Sequence, residues 1–518
     1  MPGTFFGFNT GLRGMQAAQR GIYTTAHNIA NANTEGYTRQ QVVLATTPAY
    51  PVPAMNRPGG TGWQIGTGVD SQETRRLRDE FLDTQIRRET GNLGMWEQIQ
   101  DVLTQVEIVF SEPSDTGLST LMSQFWAAWQ ELSKNAESSP VRTTVVETAG
   151  ALAEAFNHSA QQLETIIGDI DQSIELKVTE INSLARQVVD LNVQIKNIIA
   201  AGDQPNDLLD QRDLLLDKLS KIIDFEVEYN KINVNGDDIY DGQVKIRIGN
   251  AYLVSIDNSN NSIANEVSVG TGNDKAKIYW GDGTEITPNR GEIKGLQEAR
   301  GDVQLYLNKL DVLARGLAEN INAIHREGLD LSGQPVNTDT DPNTNTYENF
   351  FVALSDPPAT GDISESGITA RNIGVNLNIR NDVTKIAAAD VSGGAGNGAN
   401  ALKIAQLQSK LFQETDINSD GDIDTLVEGT SGVTFDDYYK NFTAKLGVDA
   451  HEAGRMVTNQ GVLVDQLTSR KESISGVSLD EEMVNMLQYQ RAYEAAARLI
   501  TTLDAMLDKI INGMGVTR

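Results

Sequence analysis

The sequence predicts an α+β fold that is mainly α: a long helical bundle with terminal coiled-coil helices and an inserted small β domain. Three observations lead to this prediction. Apolar residues recur in steps of three and four at both ends of the chain. A third pattern of the same kind continues for about five heptads in the first half of the chain. Between the helical stretches, one segment alternates with period two and contains hairpin-type turns.

The two ends of the chain carry the spacing of helices that pack on a partner helix. Near the N-terminus the repeating positions are Phe5, Phe8, Leu12, Met15, Gln19, Ile22, Ala26 and Ile29. Near the C-terminus they are Met486, Tyr489, Tyr493, Ala496, Ile500, Leu503, Leu507, Ile510 and Met514. Gly513 and Gly515 are expected to end the last helix. We expect the two patterns to pair, and we assign residues 1–70 plus 471–518 to one terminal coiled-coil inner domain.

The third pattern predicts a helical body. Residues 163–198 should form a helix of about 50 Å that ends at Gly202 and Pro205. Further helices are predicted at residues 207–223, 296–325, 401–412 and 438–466. A set of long apolar helices of this kind is typical of a bundle. We therefore assign residues 71–225 plus 291–470 to a helical body domain.

A different composition marks residues 226–290, which are rich in Asn, Asp, Gly and β-branched residues. The segment 244–248 alternates between apolar and basic side chains, as a half-buried strand does. The dipeptides Asn235-Gly236 and Asp282-Gly283 are typical of hairpin turns. We interpret residues 226–290 as a small β domain inserted into the bundle. Residues 331–400 are expected to be rich in loops, with a few short strands.

The composition argues against several classes of function. Among 518 residues, 42 are Lys or Arg and 71 are Asp or Glu, which gives a formal net charge of −29. Surfaces that bind phosphate groups need clustered basic residues, so we expect no nucleic-acid partner and no docking on anionic membranes. No apolar run reaches the length of a membrane span, and the N-terminus has no cleavable signal. The lack of cysteine excludes disulfides and thiolate metal sites.

One acidic segment resembles a calcium-binding loop. The oxygen ligands at its first, third, fifth and ninth positions would be Asp416, Asn418, Asp420 and Asp424. The twelfth position, which should be a bidentate Glu, is Val427. An acidic surface turn is therefore the favoured alternative, and the loop is only a weak metal candidate.

No other motif predicts chemistry. His451-Glu452 begins a match to a zinc-protease helix, but Arg455 occupies the place of the second histidine and would repel the ion. We accordingly predict no catalytic residues and no cofactor, and we expect that the chain is not an enzyme.

Both termini carry motifs that resemble those of the bacterial flagellar rod, hook and hook-associated proteins. Residues 27–39 read HNIANANTEGYTR, residues 475–483 read SGVSLDEEM, and residues 488–498 read QYQRAYEAAAR. The sequence from Gly36 to Gln40 and the long helical body are most similar to the members that join hook and filament. Another axial protein, of the hook or the distal rod, is one alternative. A secreted calcium-dependent binding protein is the alternative from a different class.

The resemblance implies a structural protein that assembles with itself into an axial ring or helical array through its terminal helices. It implies hook protein and the next hook-associated junction protein as neighbours. It also implies an export chaperone that holds the C-terminal helix before export. Type III export without a cleaved signal peptide would place the chain outside the cell, in the flagellum.

The candidate assembly interface combines the two terminal patterns with the N-terminal motif. Its residues are Phe8, Leu12, Met15, Ile22, Asn28, Ile29, Asn31, Tyr37, Tyr489, Tyr493, Ile500, Leu503, Leu507 and Ile510. For Asn28 and Asn31 the sequence favours a second role, in which the side chains satisfy backbone groups at the helix end and the turn. Tyr489 and Tyr493 are expected to pack between helices rather than to bind a ligand.

Overall fold

The computed structural model describes residues 6–50, 65–110, 117–234, 237–257, 261–336, 348–355, 358, 364–391, 393–394, 396–415 and 425–513. The predicted fold class is confirmed, because long helices dominate these ranges and the sheets are small and antiparallel.

The helices account for most of the described chain. They are α1 (Phe6–Ala30), α2 (Glu80–Val109), α3 (Leu118–Lys134), α4 (Ser139–Ala200), α5 (Asn206–Ile222), α6 (Glu292–His325), α7 (Leu377–Asn381), α8 (Ala399–Gln406), α9 (Phe435–Ser475) and α10 (Leu479–Asp508). A π-helical turn, Lys509–Gly513, continues α10.

The strands form several small sheets. They are β1 (Gln40–Thr46), β2 (Val69–Arg76), β3 (Glu226–Val234), β4 (Asp237–Ile248), β5 (Ala251–Ile256), β6 (Ser262–Ala264), β7 (Val267–Val269), β8 (Ile278–Trp280), β9 (Glu285–Ile286), β10 (Gly328–Leu329), β11 (Phe351–Ala353), β12 (Ile373–Val375), β13 (Ala389–Asp390), β14 (Phe412–Thr415) and β15 (Thr425–Glu428). Strands β3 to β6 pair in chain order, as do β7 to β9. The two-stranded pairs are β1 with β2, β10 with β13, β11 with β12, and β14 with β15.

The body is built around α4, a helix of 62 residues that is about 90 Å long. The predicted helix at 163–198 is only its C-terminal part. The earlier turns were missed because small residues such as Ala149, Ala153 and Ala160 occupy buried positions there, which weakens the apolar pattern. Helices α3, α5 and α6 pack along α4, and together they bury one continuous hydrophobic core.

Helices α2 and α9 run antiparallel and extend the body toward the chain ends. Lys471 Nζ lies 3.1 Å from Asp83 at one end of the pair, and the Phe110 and Phe442 rings are 5.6 Å apart at the other. The apolar pattern of the sequence does not reveal α2, because two of its buried positions are the glycines Gly91 and Gly94. A Cβ atom on Gly94 would lie 2.8 Å from the carbonyl oxygen of Lys221, so only glycine permits this approach.

Two asparagines on α4 hold the inserted strands. Asn182 donates to the carbonyl of Val267 at 2.7 Å and accepts from its N–H at 2.9 Å. Asn192 makes the same pair of hydrogen bonds with Val244, at 2.9 and 3.2 Å. Each side chain thus continues the ladder of a strand edge. The strands between α5 and α6 are therefore attached to α4 by directional bonds as well as by apolar packing.

His325 is a buried histidine at the end of α6. It has no exposed surface, and its Nε2 accepts a hydrogen bond from the Ala387 N–H at 3.0 Å. Burial lowers the pKa of His325 to about 3, and the nearby positive charges of Arg326 and Arg142 act in the same direction. The imidazole is therefore neutral in the folded body at any pH near neutrality.

We expect His325 to make the stability of the body depend on pH. The unfolded histidine binds a proton below about 6.5 and the folded one does not, so stability should fall as the pH drops from 6.5 toward 3. The contribution to the slope is at most about 1.4 kcal/mol per pH unit. His325→Gln keeps an acceptor and should have a shallower slope in urea unfolding at pH 7, 6, 5 and 4. Equal slopes in the two proteins would contradict this assignment.

Candidate assembly site at the chain ends

The two terminal helices, α1 and α10, pack antiparallel along their length. The glycines of α1 define the register between the two helices. A Cβ atom on Gly7 would contact Leu503, and a Cβ atom on Gly11 would contact Ile500. Farther along, Gly21 lies against the ring of Tyr489. Large side chains of α10 therefore fill a groove that the small residues of α1 leave open.

The face of α1 that meets α10 is one residue out of register with the predicted one. It consists of Gly7, Gly11, Gly14, Ala18, Gly21, Thr25 and Asn28, in steps of four and three. The expected pairing of the two apolar patterns is therefore wrong on the α1 side. Small residues allow the helix axes to approach closely, so packing density favours them over bulkier neighbours.

The predicted apolar residues of α1 form a separate stripe. We call Phe8, Leu12, Met15, Ile22 and Ile29 the α1 stripe. Each comes one position after a residue of the face of small side chains that meets α10, and each is half-buried. The residues one position before that face lie on its opposite side, toward the β1–β2 hairpin. Thr10 lies beside Gly68 of the hairpin, and the Phe6 and Tyr50 rings are 6.3 Å apart. At about 100° per residue, the α1 stripe thus lies away from the hairpin and beside α10.

On α10 the predicted pattern does face α1. Its residues Tyr489, Tyr493, Ile500, Leu503 and Leu507 are all half-buried. Ile510 lies beyond the end of α10 and is 51% exposed. Within Leu479–Asp508, which is described throughout, Glu482 is the only fully buried residue. One chain alone therefore covers the terminal helix pair incompletely.

The amide of Asn28 links the N-terminal motif to the C-terminal one. Its nitrogen donates to the carbonyl of Gln40 at 2.9 Å and to Glu482 Oε2 at 3.1 Å. Its oxygen accepts from the Tyr37 hydroxyl at 2.7 Å and from the Gln40 N–H at 3.0 Å. The side chain is buried and uses its full hydrogen-bonding capacity. We call Asn28, Tyr37, Gln40 and Glu482 the Asn28 node.

Arg39 completes the connection between the two motifs. Its Nε donates to Glu482 Oε1 at 2.7 Å, and Nη1 lies 2.9 Å from Glu481. Its backbone N–H donates to the carbonyl of Ser475, at the end of α9, at 2.9 Å. The residues that carry the family resemblance therefore meet inside one chain, at the point where the terminal helices join the body.

Asn31 has a local role at the end of α1. Its amide nitrogen donates to the His27 carbonyl at 3.1 Å, and its oxygen accepts from Thr34 at 3.2 Å. Gly36 follows with a φ of +78°, a left-handed conformation that favours glycine. The asparagines thus serve the helix end and the turn.

A buried ionic cluster, absent from the sequence-based predictions, lies beside the Asn28 node. Arg76 Nη1 lies 2.8 Å from Asp210 and 2.7 Å from Asp213, and Arg78 Nη1 lies 3.0 Å from Asp213. Asp210 also accepts from the Thr38 N–H at 3.0 Å, which ties the cluster to the motif. The sequence does contain an indication of such ion pairs: residues 1–90 contain nine arginines and no lysine, and α5 carries aspartates at helical spacing.

The charges in this cluster shift several pKa values. Burial by itself would raise the pKa of Asp213, but the positive charges of Arg78 and Arg76 hold it below its ordinary value. Burial raises the pKa of Asp210. Burial, followed by the negative charges of Asp207 and Asp210, also raises the pKa of the Tyr37 hydroxyl. Tyr37 therefore stays protonated and remains a donor to Asn28.

The calcium candidate is not part of this site. Asp416, Asn418, Asp420 and Asp424 lie outside the described residues. In the ranges that the structure does describe, no group of three or more His, Cys, Asp or Glu side chains is arranged to hold a metal ion.

Within the described ranges, no helix combines the length and the apolar character needed to cross a lipid bilayer.

We expect Asn28→Ala to loosen the terminal helices from the body. The substitution leaves the Gln40 backbone and the Tyr37 hydroxyl without partners, at a cost of about 2–3 kcal/mol. Hydrogen exchange of the α1 amides should measure the change. Asn33 belongs to the same motif but is exposed, so Asn33→Ala is the matched control and should leave exchange unchanged. Similar exchange in the two variants would refute the role of the node.

We expect the glycines of α1 to differ sharply in their tolerance of alanine. A Cβ on Gly21 would lie 2.6 Å from the Tyr489 ring, whereas one on Gly14 would lie 3.7 Å from Ala496. Gly21→Ala should therefore destabilise the helix pair by about 1–3 kcal/mol. Gly14→Ala should stabilise it by up to about 1 kcal/mol through helix propensity. Thermal unfolding, monitored by hydrogen exchange of the α1 amides, distinguishes the two variants. Equal changes in stability in Gly21→Ala and Gly14→Ala would exclude this register of the two helices.

Family models match three parts of the chain. One described as "Flagellar hook-associated protein FlgK helical domain" matches residues 103–339. One described as "Flagellar basal body rod FlgEFG protein C-terminal" matches residues 472–513, and "Flagella basal body rod protein" matches residues 8–38. The two terminal matches cover most of α1 and α10. The resemblance seen in the terminal motifs is thus confirmed.

Similar proteins extend over the whole chain. Flagellar hook-associated protein 1 of Bacillus subtilis is 34% identical over 100% of this chain and 99% of its own length. The protein of the same name from Salmonella typhimurium is 28% identical over 97% of this chain and 99% of its own length.

A solved structure has the same fold. It is the flagellar hook junction protein FlgK from Burkholderia pseudomallei, with a TM-score of 0.58 and 16% identity over 76% of this chain and 100% of that one. The full-length relatives, rather than this fold likeness, settle the family. The chain belongs to the flagellar hook-associated protein 1 family of bacterial flagellar structural proteins.

Proposed function

We propose that this chain is a structural subunit of the junction between flagellar hook and filament, where it assembles with further copies through its terminal helices. The observation that carries the proposal is the incomplete cover of the terminal helix pair within one chain: in α10, which is described throughout, Glu482 is the only fully buried residue, and Met483, Leu487 and Met506 are exposed. Support also comes from the names of the full-length relatives, which are hook-associated proteins, and from the Burkholderia protein, described as a hook junction protein.

The energetics favour association through this surface. The α1 stripe offers five apolar side chains that are half-buried in one chain. Covering the remaining exposed surface, at most about a third of each side chain, contributes up to about 1 kcal/mol per side chain, or up to about 5 kcal/mol for one contact between copies. A subunit in a ring or helical array makes several contacts at once, so modest contacts add up to a stable assembly.

The predicted interface residues divide into two groups in this proposal. Phe8, Leu12, Met15, Ile22 and Ile29 contact neighbouring copies directly. Asn28, Asn31 and Tyr37 act indirectly, because their hydrogen bonds within the chain fix the angle at which the helices leave the body. The α10 residues Tyr489, Tyr493, Ile500, Leu503 and Leu507 face α1 and reach neighbours only through their exposed edges, and Ile510 is open to a neighbour.

In this proposal each part of the chain has its own structural role. The terminal unit, residues 1–70 plus 471–518, assembles. The body, residues 71–225 plus 291–470, carries load outward from it, and the β insertion, residues 226–290, is a rigid outer attachment. The role is mechanical, with no catalytic step and no cofactor. Neighbours are further copies, hook protein on one side and the next junction protein on the other.

The route to this location is part of the proposal. The chain is exported without a cleaved signal peptide through the flagellar type III route, and it ends in the extracellular flagellum. A cytoplasmic chaperone covers α10 before export. The outer face of α10 suits such a partner, since it combines apolar and charged side chains on an amphipathic helix.

Deletion of the gene tests the junction role. We expect electron microscopy to show hooks without filaments, with flagellin released into the medium. Missing hooks would instead assign the chain to the hook or rod, and normal flagella would contradict the proposal in a strain with a single copy.

Complementation of the deletion strain tests whether the α1 stripe is an assembly surface. Leu12→Gln with Met15→Gln should fail to restore filaments, and hydrogen exchange of α1 in the isolated variant checks that its terminal helix pair is intact, since both side chains are half-buried. Gln16→Ala is an exposed change on the same helix and should restore them. If the double variant restores filaments as well as Gln16→Ala does, the α1 stripe is not an assembly surface.

A further inference from the structure

The segment that leads into β12 contacts two helices of the body at once. We call its residues, 364–373, the strap. Along α6, Arg326 Nη1 lies 2.7 Å from Glu365 of the strap, and Arg315 Nε donates to the carbonyl of Ile368 at 3.1 Å. The two arginines are about three helical turns apart and so lie on the same side of α6. The first half of the strap is therefore held along one side of this helix.

The second half of the strap is held by α4. Asn157 Nδ2 donates to the carbonyls of Ala370 and Ile373, at 2.8 and 3.1 Å. Arg371 forms an ion pair with Glu164, two turns further along α4. Both Ala370 and Ile373 are fully buried, so this part of the strap also contributes to the core. The strap thus ties α4 to α6 through polar contacts on both helices.

One carboxyl group holds the middle of the strap. Asp311 of α6 is half-buried, and its Oδ1 accepts from the Ala370 N–H at 2.7 Å. Charged groups surround it from each element that packs here. Arg315 of α6 favours the ionised carboxyl and Glu164 of α4 disfavours it, while Arg371 of the strap is paired with Glu164. The positive charge near Asp311 is thus opposed by a negative one, and the cost of burying the carboxylate is only partly offset.

Closure of the strap favours the protonated form of this carboxyl group. Burial raises the pKa of Asp311 to about 6, although the hydrogen bond from Ala370 and the charge of Arg315 act against the rise. When the strap opens, the carboxyl is solvated and its pKa returns toward 3.8. The proton is therefore bound more tightly in the closed state. Its contribution to closure is complete below about pH 4 and is lost as the pH rises through about 6.

We propose that the strap is a proton-controlled brace of the body, which stays closed across α4 and α6 when Asp311 is neutral and opens more readily when Asp311 is ionised. Loss of the brace frees the segment from both helices without separating their shared core. The inference goes beyond the proposed junction function and concerns the rigidity of one chain. Failure of either proposal leaves the other in place.

Hydrogen exchange of the Ala370 amide in the full chain tests the brace, because this amide is the donor to Asp311. Exchange rates are measured from pH 5 to pH 8 and corrected for the pH dependence of the chemical step. A carboxyl pKa of 3.8 in the open state and about 6 in the closed state makes opening about tenfold more frequent at pH 7 than at pH 5. Little further change is expected above pH 7, where both states are ionised.

Two matched variants show whether Asp311 is the titrating group. Asp311→Asn keeps an oxygen acceptor for Ala370 but cannot titrate, so opening should no longer depend on pH. Asp302 is another half-buried aspartate of α6, but it lies near Asp449 of α9. Asp302→Asn should therefore retain the wild-type profile. A flat profile in the wild type, or an equal slope in Asp311→Asn and the wild type, would overturn the proposal.

Glu164→Gln separates the electrostatic effect from simple weakening of the strap. The substitution removes a negative charge near Asp311 and releases Arg371 from its ion pair, and both changes favour the ionised carboxyl. The midpoint of the pH profile should therefore move to lower pH. Loss of the ion pair alone would raise the opening frequency at every pH and leave the midpoint in place. An unchanged or higher midpoint would contradict the assignment of Asp311 as the controlling group.

Discussion

The position of the terminal helices on the body depends on one buried amide, that of Asn28. Its four hydrogen bonds join the end of α1, the start of β1 and the first turn of α10, which lie far apart in the sequence. A buried amide is costly unless every donor and acceptor finds a partner, so these elements must meet in one geometry or not at all. The direction in which the terminal helices leave the body is thereby fixed.

The ionic cluster next to this amide strengthens the same joint. Arg76 ends β2, Arg78 lies between β2 and α2, and Asp210 and Asp213 come from α5. Lys471 from α9 joins the cluster through Asp83, which also pairs with Arg78. Each partly buried charge has at least one opposite charge within reach, which offsets the cost of removing it from water. Ion pairs of this kind have strict geometry, so they add specificity to the joint.

The terminal helix pair shows an unequal division of side-chain volume. Helix α1 supplies glycines and alanine, and α10 supplies tyrosines and leucines that fill the groove. This packing needs only one narrow face of α1. The larger apolar side chains of that helix lie in the next row, where they are half-buried within one chain. The small residues that pack against α10 and the apolar residues proposed as an assembly surface therefore form adjacent, separate rows of the same helix.

The sequence by itself determined the helical character of the chain, the extent of the α10 pattern and the family. Periodic apolar residues report which residues are helical, and the terminal motifs are specific. Only the tertiary structure decided which row of α1 faces α10, because a row of glycines has no hydrophobic signal, and close approach depends on the shape of the partner helix. The same reason explains why α2, with Gly91 and Gly94 buried, escaped prediction. The Asn28 node could not be predicted either, since hydrogen bonds between distant segments depend on geometry that no local pattern encodes. For the Arg76–Asp213 pair the sequence showed the excess of arginine and the row of aspartates, but not which of them meet.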